Sequence, residues 1–334
     1  MVNGICTLAN DYVFDQVVAL LNSIDVHAGK NFPVCIYPYD DRIQKLQDFL
    51  QDRPHVQIYD NQASIRLWDA RVEKIWQYHP TAQQQWFEAT GMEGIHRMGT
   101  HRRFCAFDGP FDQFIYMDAD TLLLDSPQPI FDLLSKFDWI TYDFQYKDLS
   151  HVFDIESSKL RELFLEQQLE QQVFCSGFYA SKRRTIDEHN LKFYFSKLEE
   201  GDAEVLYPMA PDQTILNYFV LRQPLKSINL AFSLPVDQRT GNSVTSSHFE
   251  QREDSVFDNG KRLLYLHYIG VSSKFFARVC QGENLDIPYR DVFLNYRYRH
   301  APESRPELRG PIIRHQPQQP PLWKRLVRKL SLSK

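Results

Sequence analysis

The sequence predicts an α/β fold in which a mostly parallel sheet carries helices on both faces. Short apolar stretches typical of buried strands alternate with amphipathic stretches typical of helices, and this order produces parallel sheets. The chain has 334 residues, of which 43% are hydrophobic and 24% charged, as is usual for a folded protein with a large core. We therefore expect one large domain over residues 1–300.

The first third of the chain shows this alternation most clearly. A strand-like stretch ends at Asn10 and Asp11, which favour a turn or a helix cap, and apolar residues then recur at helical spacing. Residues 62–99 contain three tryptophans but no clear pattern. In this part, strands are predicted at residues 4–9, 34–37, 56–59 and 113–117, and helices at residues 13–24, 40–50 and 98–107.

The remaining chain contains fewer clear elements and a distinct carboxyl-terminal part. Strands are predicted at residues 139–142, 174–180 and 263–266, and a helix at residues 212–221. Residues 301–321 include six prolines and are predicted to form an extended linker. Residues 322–334 carry five basic and no acidic side chains in an amphipathic pattern. This pattern predicts either contact with an anionic membrane surface or a solvated tail.

Composition and charge disfavour several classes of protein. Lysine and arginine total 38 against 43 aspartates and glutamates, and the net charge of −5 disfavours a nucleic-acid partner. The five cysteines include no C-x-x-C pair, which argues against a disulfide framework or a thiolate zinc site and favours a reducing compartment. We see no secretion signal and no apolar run of about 18 residues, so we expect a cytoplasmic protein without a membrane span.

Two carboxylates at the end of a predicted strand form the first candidate site. Asp118 and Asp120 flank Ala119 at the end of a predicted strand, the position at which α/β sheets bind ligands. The two carboxylates either bind one divalent cation, Mn²⁺ or Mg²⁺, or belong to a solvated turn. His267 ends a later predicted strand and is either a third ligand or a core histidine. Because the chain lacks both common glycine-rich phosphate loops, we expect a nucleotide to be held through the cation.

Five segments together resemble glycosyltransferase family eight, the retaining GT-A enzymes that include glycogenin, galactinol synthases and bacterial galactosyltransferases. Phe114–Leu124 is similar to the metal-binding segment of that family, and Phe174–Phe178 is similar to its F-N-[SA]-G strand. Pro211–Asn217 resembles its D-Q-x-x-L-N helix start, and Leu266–Lys274 resembles its H-[FY]-x-G-x-x-K loop. Ala9–Tyr12 is like the stretch that holds the nucleoside. The segments occur in the order that the family requires.

The resemblance implies a GT-A (Rossmann-like) fold and specific roles for individual residues. Asp118, Asp120 and His267 would bind manganese, and Asp212 and Gln213 would lie against the donor sugar and stabilise its transition state. Arg102 matches a basic residue that reaches the sugar or phosphate, although Arg103 is an equal candidate. The nucleotide sugar would be bound by Ala9, Asp11, Tyr12, Arg102, Asp118, Ala119, Asp120, Gly270 and Lys274.

Two departures from the family pattern affect these expectations. Cys175 stands where the family has asparagine, so an amide that can hydrogen-bond the donor sugar is missing. The spacing from Gly270 to Lys274 is one residue longer than usual, which weakens the assignment of Lys274. From the residues alone, Asp212 is also a favoured helix N-cap, and Gln213 is also an ordinary first-turn residue.

The function predicted from these observations is metal-dependent transfer of a hexose, with retention, from a nucleotide sugar to a glycan or lipid-linked acceptor. The donor is expected to be UDP-linked. Two alternatives stay open: a nucleotidyltransferase that makes nucleotide sugars, and a non-catalytic protein that binds a glycan or nucleotide on the same fold. The first lacks its usual glycine-rich loop, whereas the changes at Cys175 and around Lys274 give some support to the second.

Overall fold

The computed structural model describes residues 2–314, in which strands and helices alternate along the chain. The strands are β1 (Asn3–Ala9), β2 (Val34–Pro38), β3 (Val56–Ile58), β4 (Gln113–Met117), β5 (Thr121–Leu123), β6 (Trp139–Thr141), β7 (Phe178–Lys182), β8 (Ser227–Asn229), β9 (Glu250–Arg252), β10 (Ser255–Asp258), β11 (Lys261–Arg262), β12 (Tyr265–His267), β13 (Glu283–Asp286) and β14 (Arg309–Arg314). The α-helices are α1 (Phe14–His27), α2 (Gln44–Leu50), α3 (Gln62–Gln77), α4 (Ala82–Thr90), α5 (Gln128–Leu133), α6 (Lys159–Leu163), α7 (Glu166–Gln171), α8 (Glu188–Glu199), α9 (Pro211–Arg222), α10 (Leu230–Ser233), α11 (Ser273–Cys280) and α12 (Arg290–Arg297).

The central sheet has seven strands in the order β3-β2-β1-β4-β7-β6-β8. Strand β1 pairs in parallel with β2 and with β4, with Ile5 opposite Val34 on one side and Ile115 on the other. Strand β7 runs antiparallel to β4 and β6, and β8 is parallel to β6. The mixed, mostly parallel sheet that the sequence predicts is therefore confirmed, and the carboxyl ends of β1, β2 and β4 lie at one edge.

Helices cover both faces of the sheet because successive residues of a strand point to opposite sides. In β1, Cys6 packs in a core with α3, α4 and α9, whereas Ile5 packs in a core with α1, α2 and α5. Across the first face, the ring of Tyr179 stacks on Trp139 and on Tyr116, with centroids 4.6 and 5.0 Å apart. Both faces are therefore closed to solvent, and the strand ends provide the accessible edge.

Most of the predicted elements are confirmed to within a few residues. Strands β1, β2, β3, β4 and β6 and helices α1 and α9 lie where the sequence predicts them. Residues 62–99, which have no clear pattern, hold α3 and α4 with their tryptophans buried in the core. The helix predicted at residues 98–107 is a 3-10 helix over Met98–Asp108.

The strand predicted from Phe174 begins only at Phe178. The backbone amides of Phe174 and Ser176 donate hydrogen bonds to the side chains of Asn217 and Gln213, both at 3.0 Å, instead of to a neighbouring strand. Side chains of α9 therefore hold this segment at the end of the sheet.

Two further predicted elements are shorter in the structure: the helix 40–50 begins at Gln44, and the strand 263–266 begins at Tyr265. The carboxylate of Asp40 accepts a hydrogen bond from the amide of Arg42 at 3.0 Å, so a turn precedes the helix.

A third core joins α11 and α12 to β5 and β12. Within the predicted linker 301–321, Arg309–Arg314 forms β14, which pairs in parallel with β13. Residues 315–321 of the linker and the predicted amphipathic segment 322–334 lie outside the described residues. Over residues 2–314, no helix is both long and apolar enough to cross a membrane, and the five cysteines carry free thiols.

Candidate active site

The two candidate carboxylates and the candidate histidine meet at the end of β4. Asp118 follows β4 directly, and β5 begins after Asp120. Strand β12 pairs antiparallel with β5 and places His267 opposite Thr121, next to Asp120. One ligand atom from each of Asp118, Asp120 and His267 lies within 4.8 Å of the others. The structure thus brings together the three residues that the sequence singled out as metal ligands.

Backbone hydrogen bonds hold this arrangement in place. The amide of Asp118 donates to the carbonyl of Gly177 at 2.9 Å, and the amide of Tyr268 donates to the carbonyl of Asp120 at 2.9 Å. The hydroxyl of Thr121 donates to the carbonyl of Asp118 at 2.7 Å. The positions of both carboxylates therefore follow from their own turn and from the two segments on either side of it.

Gly177 allows the imidazole to approach the carboxylates. A Cβ atom at this position would lie 2.5 Å from Cε1 of His267 and 3.2 Å from Oδ2 of Asp118. Real Cβ contacts of 2.5 Å are essentially never seen, so a larger residue would displace the imidazole. Only glycine, which has no Cβ atom, lets the side chains of His267 and Asp118 come this close to the backbone.

Arg103 links the metal candidates to the predicted donor-sugar site. This buried side chain lies 3.1 Å from a carboxylate oxygen of Asp118 and 3.1 Å from one of Asp212, and it donates to the carbonyl of Ser176 at 2.9 Å. Its guanidinium lies over the ring of Tyr116 at 4.7 Å. Arg103 comes from the 3-10 helix, Asp118 from the end of β4 and Asp212 from the first turn of α9.

Arg102 lies in different surroundings from Arg103. It donates to the carbonyls of Pro38 and Tyr39 at 3.3 and 3.4 Å and pairs with Asp69 at 3.4 Å. Arg103, an equal candidate from the sequence, contacts the carboxylates of Asp118 and Asp212. Arg102 instead borders the end of β2.

The charges of the cluster shift the pKa values of its members in opposite directions. Burial raises the pKa of Asp118, although Arg103 opposes this shift. Burial alone would raise the pKa of Asp212, but Arg103 and His101 outweigh it and lower this pKa to about 2. Burial alone would lower the pKa of His267, but the carboxylate of Asp120 holds it well above its usual range.

A divalent cation fits this cluster. Asp118 and Asp212 pair with the single guanidinium of Arg103, and Asp120 pairs with His267, so negative charge is in excess when His267 is neutral. Carboxylates suit Mg²⁺ and Mn²⁺, and an imidazole shifts the preference toward first-row transition metals such as Mn²⁺. Because residue 177 has no side chain, the imidazole of His267 can approach the carboxylate of Asp118, and the ligand atoms of Asp118, Asp120 and His267 lie within 4.8 Å of one another.

Gln213 is held by backbone groups on both sides. Its side-chain oxygen accepts from the amide of Ser176 at 3.0 Å, and its nitrogen donates to the carbonyl of His151 at 2.8 Å. Asp212 also accepts a hydrogen bond from the hydroxyl of Ser176 at 3.3 Å. Both predicted catalytic side chains therefore lie beside the segment that precedes β7.

The structure adds Asp143 to the residues at this edge. Its buried carboxylate accepts from the amides of Cys175 at 2.9 Å and Gln145 at 2.6 Å, and burial raises its pKa. Burial raises the pKa of the Cys175 thiol, and the nearby His267 opposes this shift. The sequence signal for Asp143 was the same as for Asp118, a carboxylate just after a strand, but the preceding strand β6 is short.

The predicted nucleoside segment lies at the end of β1, beside β4. Ala9 is the last residue of β1 and is buried, whereas Tyr12 is 51% exposed. Both carboxylate oxygens of Asp11 accept backbone amides, those of Lys45 and Leu46, at 3.0 Å. Asp11 therefore caps α2, and the exposed ring in this segment belongs to Tyr12.

The residues predicted to contact the diphosphate follow β12. Gly270 adopts a left-handed conformation with φ of 79°, in a turn closed by the amide of Val271 and the carbonyl of Tyr268 at 3.0 Å. Lys274 is exposed in the first turn of α11. Ala119 lies between the two acids of the cluster and is buried.

No protein-family model and no curated protein sequence matches the chain. Among solved structures, it is similar to the apo WbbM bifunctional glycosyltransferase, with a TM-score of 0.54 and 14% identity over 89% of this chain and 49% of that one. The galactosyltransferase LgtC, in complex with donor and acceptor sugar analogues, has a TM-score of 0.47 and 14% identity, covering 83% and 94% of the two chains. Mouse xyloside xylosyltransferase 1 has a TM-score of 0.47 and 11% identity, covering 69% and 85%.

The chain spans about half the length of WbbM, and the comparison of the two structures has a TM-score above 0.5. At 14% identity the similarity concerns the fold alone. The chain therefore has the GT-A fold of glycosyltransferases, as its sequence predicts.

Proposed function

We propose that this chain is a metal-dependent glycosyltransferase that transfers a hexose from a UDP-linked donor, with retention, to a glycan or lipid-linked acceptor. The observation that carries the proposal is the convergence of Asp118, Asp120 and His267 within 4.8 Å at the end of β4. On a GT-A fold, this edge adjoins the exposed Tyr12 and the end of β1, where the nucleoside is expected.

The chemistry of donor cleavage explains why these residues lie together. As the bond from the anomeric carbon to the diphosphate oxygen breaks, its electron pair stays with the diphosphate. Asp118, Asp120 and His267 would hold Mn²⁺, which supplies positive charge to that leaving group. Lys274 would add a second positive charge. The acceptor oxygen forms the new bond to the anomeric carbon, and its proton passes to the departing diphosphate.

The remaining site residues would orient the donor sugar. Arg103 holds the carboxylate of Asp212 ionised, so this carboxylate can stabilise positive charge that develops on the sugar ring. Gln213 is fixed by Ser176 and His151, so its amide presents a rigid group to a sugar hydroxyl. An amide oxygen is a weak nucleophile, so we assign Gln213 a positioning role.

Substitution of one metal candidate tests the proposal. We expect Asp120→Asn to weaken Mn²⁺-dependent UDP binding by about 100-fold or more, because one carboxylate ligand is lost. We expect His267→Ala to weaken it less, by about 10-fold, because both carboxylates remain. Calorimetric titration of UDP with and without Mn²⁺ measures the effect, and Asp132→Asn on the exposed face of α5 is the matched control.

The same proteins are then incubated with UDP- and GDP-sugars and Mn²⁺, and release of free nucleoside diphosphate is measured. Metal-dependent release from one donor in the wild type but not in Asp120→Asn would support the transferase and identify its sugar. UDP binding that is unchanged in Asp120→Asn would remove the metal site. UDP binding without release from any donor, with or without added saccharides, would favour the non-catalytic alternative that the exchange at Cys175 suggests.

A further inference from the structure

Three aromatic side chains form a partly exposed cluster next to the candidate active site. Phe144 and Tyr146 follow β6, and Phe232 lies in α10. The ring of Tyr146 has its centroid 6.4 Å from that of Phe144 and 6.2 Å from that of Phe232, which stands nearly perpendicular to it at 87°. Phe232 is 43% exposed, although burial of a phenylalanine side chain stabilises a folded protein. We call these three residues the aromatic platform.

The segment that carries two of these rings borders the candidate active site at both ends. At its start, the carboxylate of Asp143 accepts a hydrogen bond from the amide of Cys175, whose thiol lies near His267. At its end, the carbonyl of His151 accepts the side-chain amide of Gln213 at 2.8 Å. The segment 143–151 therefore runs along the rim between the metal candidates and the predicted donor-sugar residues.

The third ring is tied to the same rim. The side-chain nitrogen of Asn229 donates to the carbonyl of Asp143 at 2.9 Å, and its oxygen accepts the amide of Asp143 at 3.3 Å. Asn229 also caps α10 through the amide of Ala231. These bonds fix the start of α10, and hence Phe232, relative to the segment 143–151.

The chemistry of the platform suits a saccharide. A pyranose ring has an apolar face of C–H groups and a rim of hydroxyls, and flat aromatic side chains match the apolar face. The side chains of Lys147 and Gln145 lie on the same segment, and the ammonium of Lys147 sits 4.7 Å from the centroid of the Phe144 ring. The exposed ammonium of Lys147 can meet hydroxyls around a stacked ring, whereas the side-chain nitrogen of Gln145 donates to the carbonyl of Asp148.

We propose that the aromatic platform binds the acceptor, a saccharide whose ring stacks on the exposed Phe232 and meets Tyr146, which stands nearly perpendicular to Phe232, at its edge. The proposal rests on the proposed function, because sugar transfer requires the acceptor hydroxyl to reach the donor on a surface that adjoins the donor site. The platform is continuous, through Asp143 and Gln213, with the candidate metal and donor residues, and its Phe232 is exposed. It therefore supplies a reason for the exposure of Phe232.

Saccharide binding by platform variants tests this inference. Labelled wild-type protein, Phe232→Ala, Phe232→Trp and Tyr146→Ala are applied to an array of hexosides and their oligomers with UDP and Mn²⁺. We expect Phe232→Ala and Tyr146→Ala to weaken binding at least 10-fold and Phe232→Trp to retain it, because tryptophan also provides a flat face. Phe193→Ala is the control, since this ring is 42% exposed on α8.

UDP affinity and thermal unfolding are measured for the same proteins. Unchanged UDP affinity and melting temperature, together with lost saccharide binding, would support the acceptor site. Saccharide binding that is equal in the wild type and Phe232→Ala, or absent from the wild type, would overturn it. If the wild type instead binds uncharged phosphatidylcholine vesicles and Phe232→Ala does not, the platform binds lipid. A wild type without UDP affinity would contradict the proposed function. The saccharide array would in that case still show whether the platform binds a saccharide.

Discussion

Gly177 faces the imidazole of His267 and the carboxylate of Asp118 across a gap that has no room for a methyl group. The residue is not in the left-handed region, so alanine would meet no backbone strain there, and the steric effect of the methyl group can be measured by itself.

Gly177→Ala should weaken Mn²⁺ binding by about 10-fold and lower the free energy of unfolding by about 1–3 kcal/mol, because the new methyl group displaces His267. Calorimetry and urea unfolding measure the two effects. The double variant Gly177→Ala, His267→Ala should recover stability relative to Gly177→Ala without recovering Mn²⁺ affinity. A single variant with wild-type affinity would show that the imidazole does not need this space.

Residue chemistry also accounts for what the sequence could identify in the site. Asp118 and Asp120 follow an apolar strand, and this local pattern is visible without a structure. Asp143 comes two residues after β6 but was not identified, because its role depends on Cys175 lying nearby in space. Which of two adjacent arginines faces the carboxylates depends on the rotation of the 3-10 helix, and the sequence left Arg102 and Arg103 equal.

At the scale of elements, Arg103 joins the 3-10 helix, the end of β4 and α9 through Asp118 and Asp212. The guanidinium is buried, so removal of either carboxylate would leave the positive charge of Arg103 with one partner fewer. Asp212 thus has a structural role at the start of α9 in addition to its proposed role toward the donor sugar.

This contact predicts a pH-dependent contribution to stability. Because the pKa of Asp212 is about 2 in the folded chain and near 4 in an unfolded one, its ionisation stabilises the fold by about 2–3 kcal/mol above pH 5. The contribution should fall between pH 4 and pH 2, as the folded chain takes up the proton. Urea unfolding of the wild type and Asp212→Asn across this range measures it.

The two proteins should differ in free energy of unfolding near neutral pH and converge near pH 2. Asp132→Asn, at an exposed position of α5, should match the wild type throughout. A difference between wild type and Asp212→Asn that does not change with pH would show that the ionised carboxylate is not what stabilises α9.

The segment 174–177 shows why one predicted element was wrong in its limits. Its apolar residues predict a strand, but amides within it bond to side chains of Asn217, Asp143 and Gln213. Those acceptors come from distant elements, so no local pattern could reveal them. The same bonds bring Gly177 and Cys175 to the metal candidates.

At the scale of the whole molecule, the candidate site occupies one edge of the central sheet. Parallel pairing of β1 with β4 places the ends of both strands side by side, and β12 reaches the same edge by pairing with β5. Residues that are far apart in sequence, such as Asp118 and His267, therefore become neighbours. The platform on segment 143–151 and α10 extends this edge toward solvent.

The basic carboxyl-terminal pattern leads to a separate prediction of membrane-surface contact. Deleting residues 318–334 should reduce sedimentation of the protein with anionic vesicles at low salt, because the segment 322–334 carries five basic side chains. High salt should release the full chain, and uncharged vesicles serve as the control. Equal pelleting of both proteins with anionic vesicles would assign the segment to a solvated tail.

The sequence by itself determined the alternation of strands and helices, the acids after β4 and the candidate histidine at the end of β12, because these depend on local periodicity and on the residue types at strand ends. Only the tertiary structure decided that His267 reaches Asp120, that Arg103 faces the acids, and that Asp143 and the aromatic platform lie at the same edge. These contacts join segments separated by long stretches of chain, so they depend on strand pairing and packing that no local pattern contains.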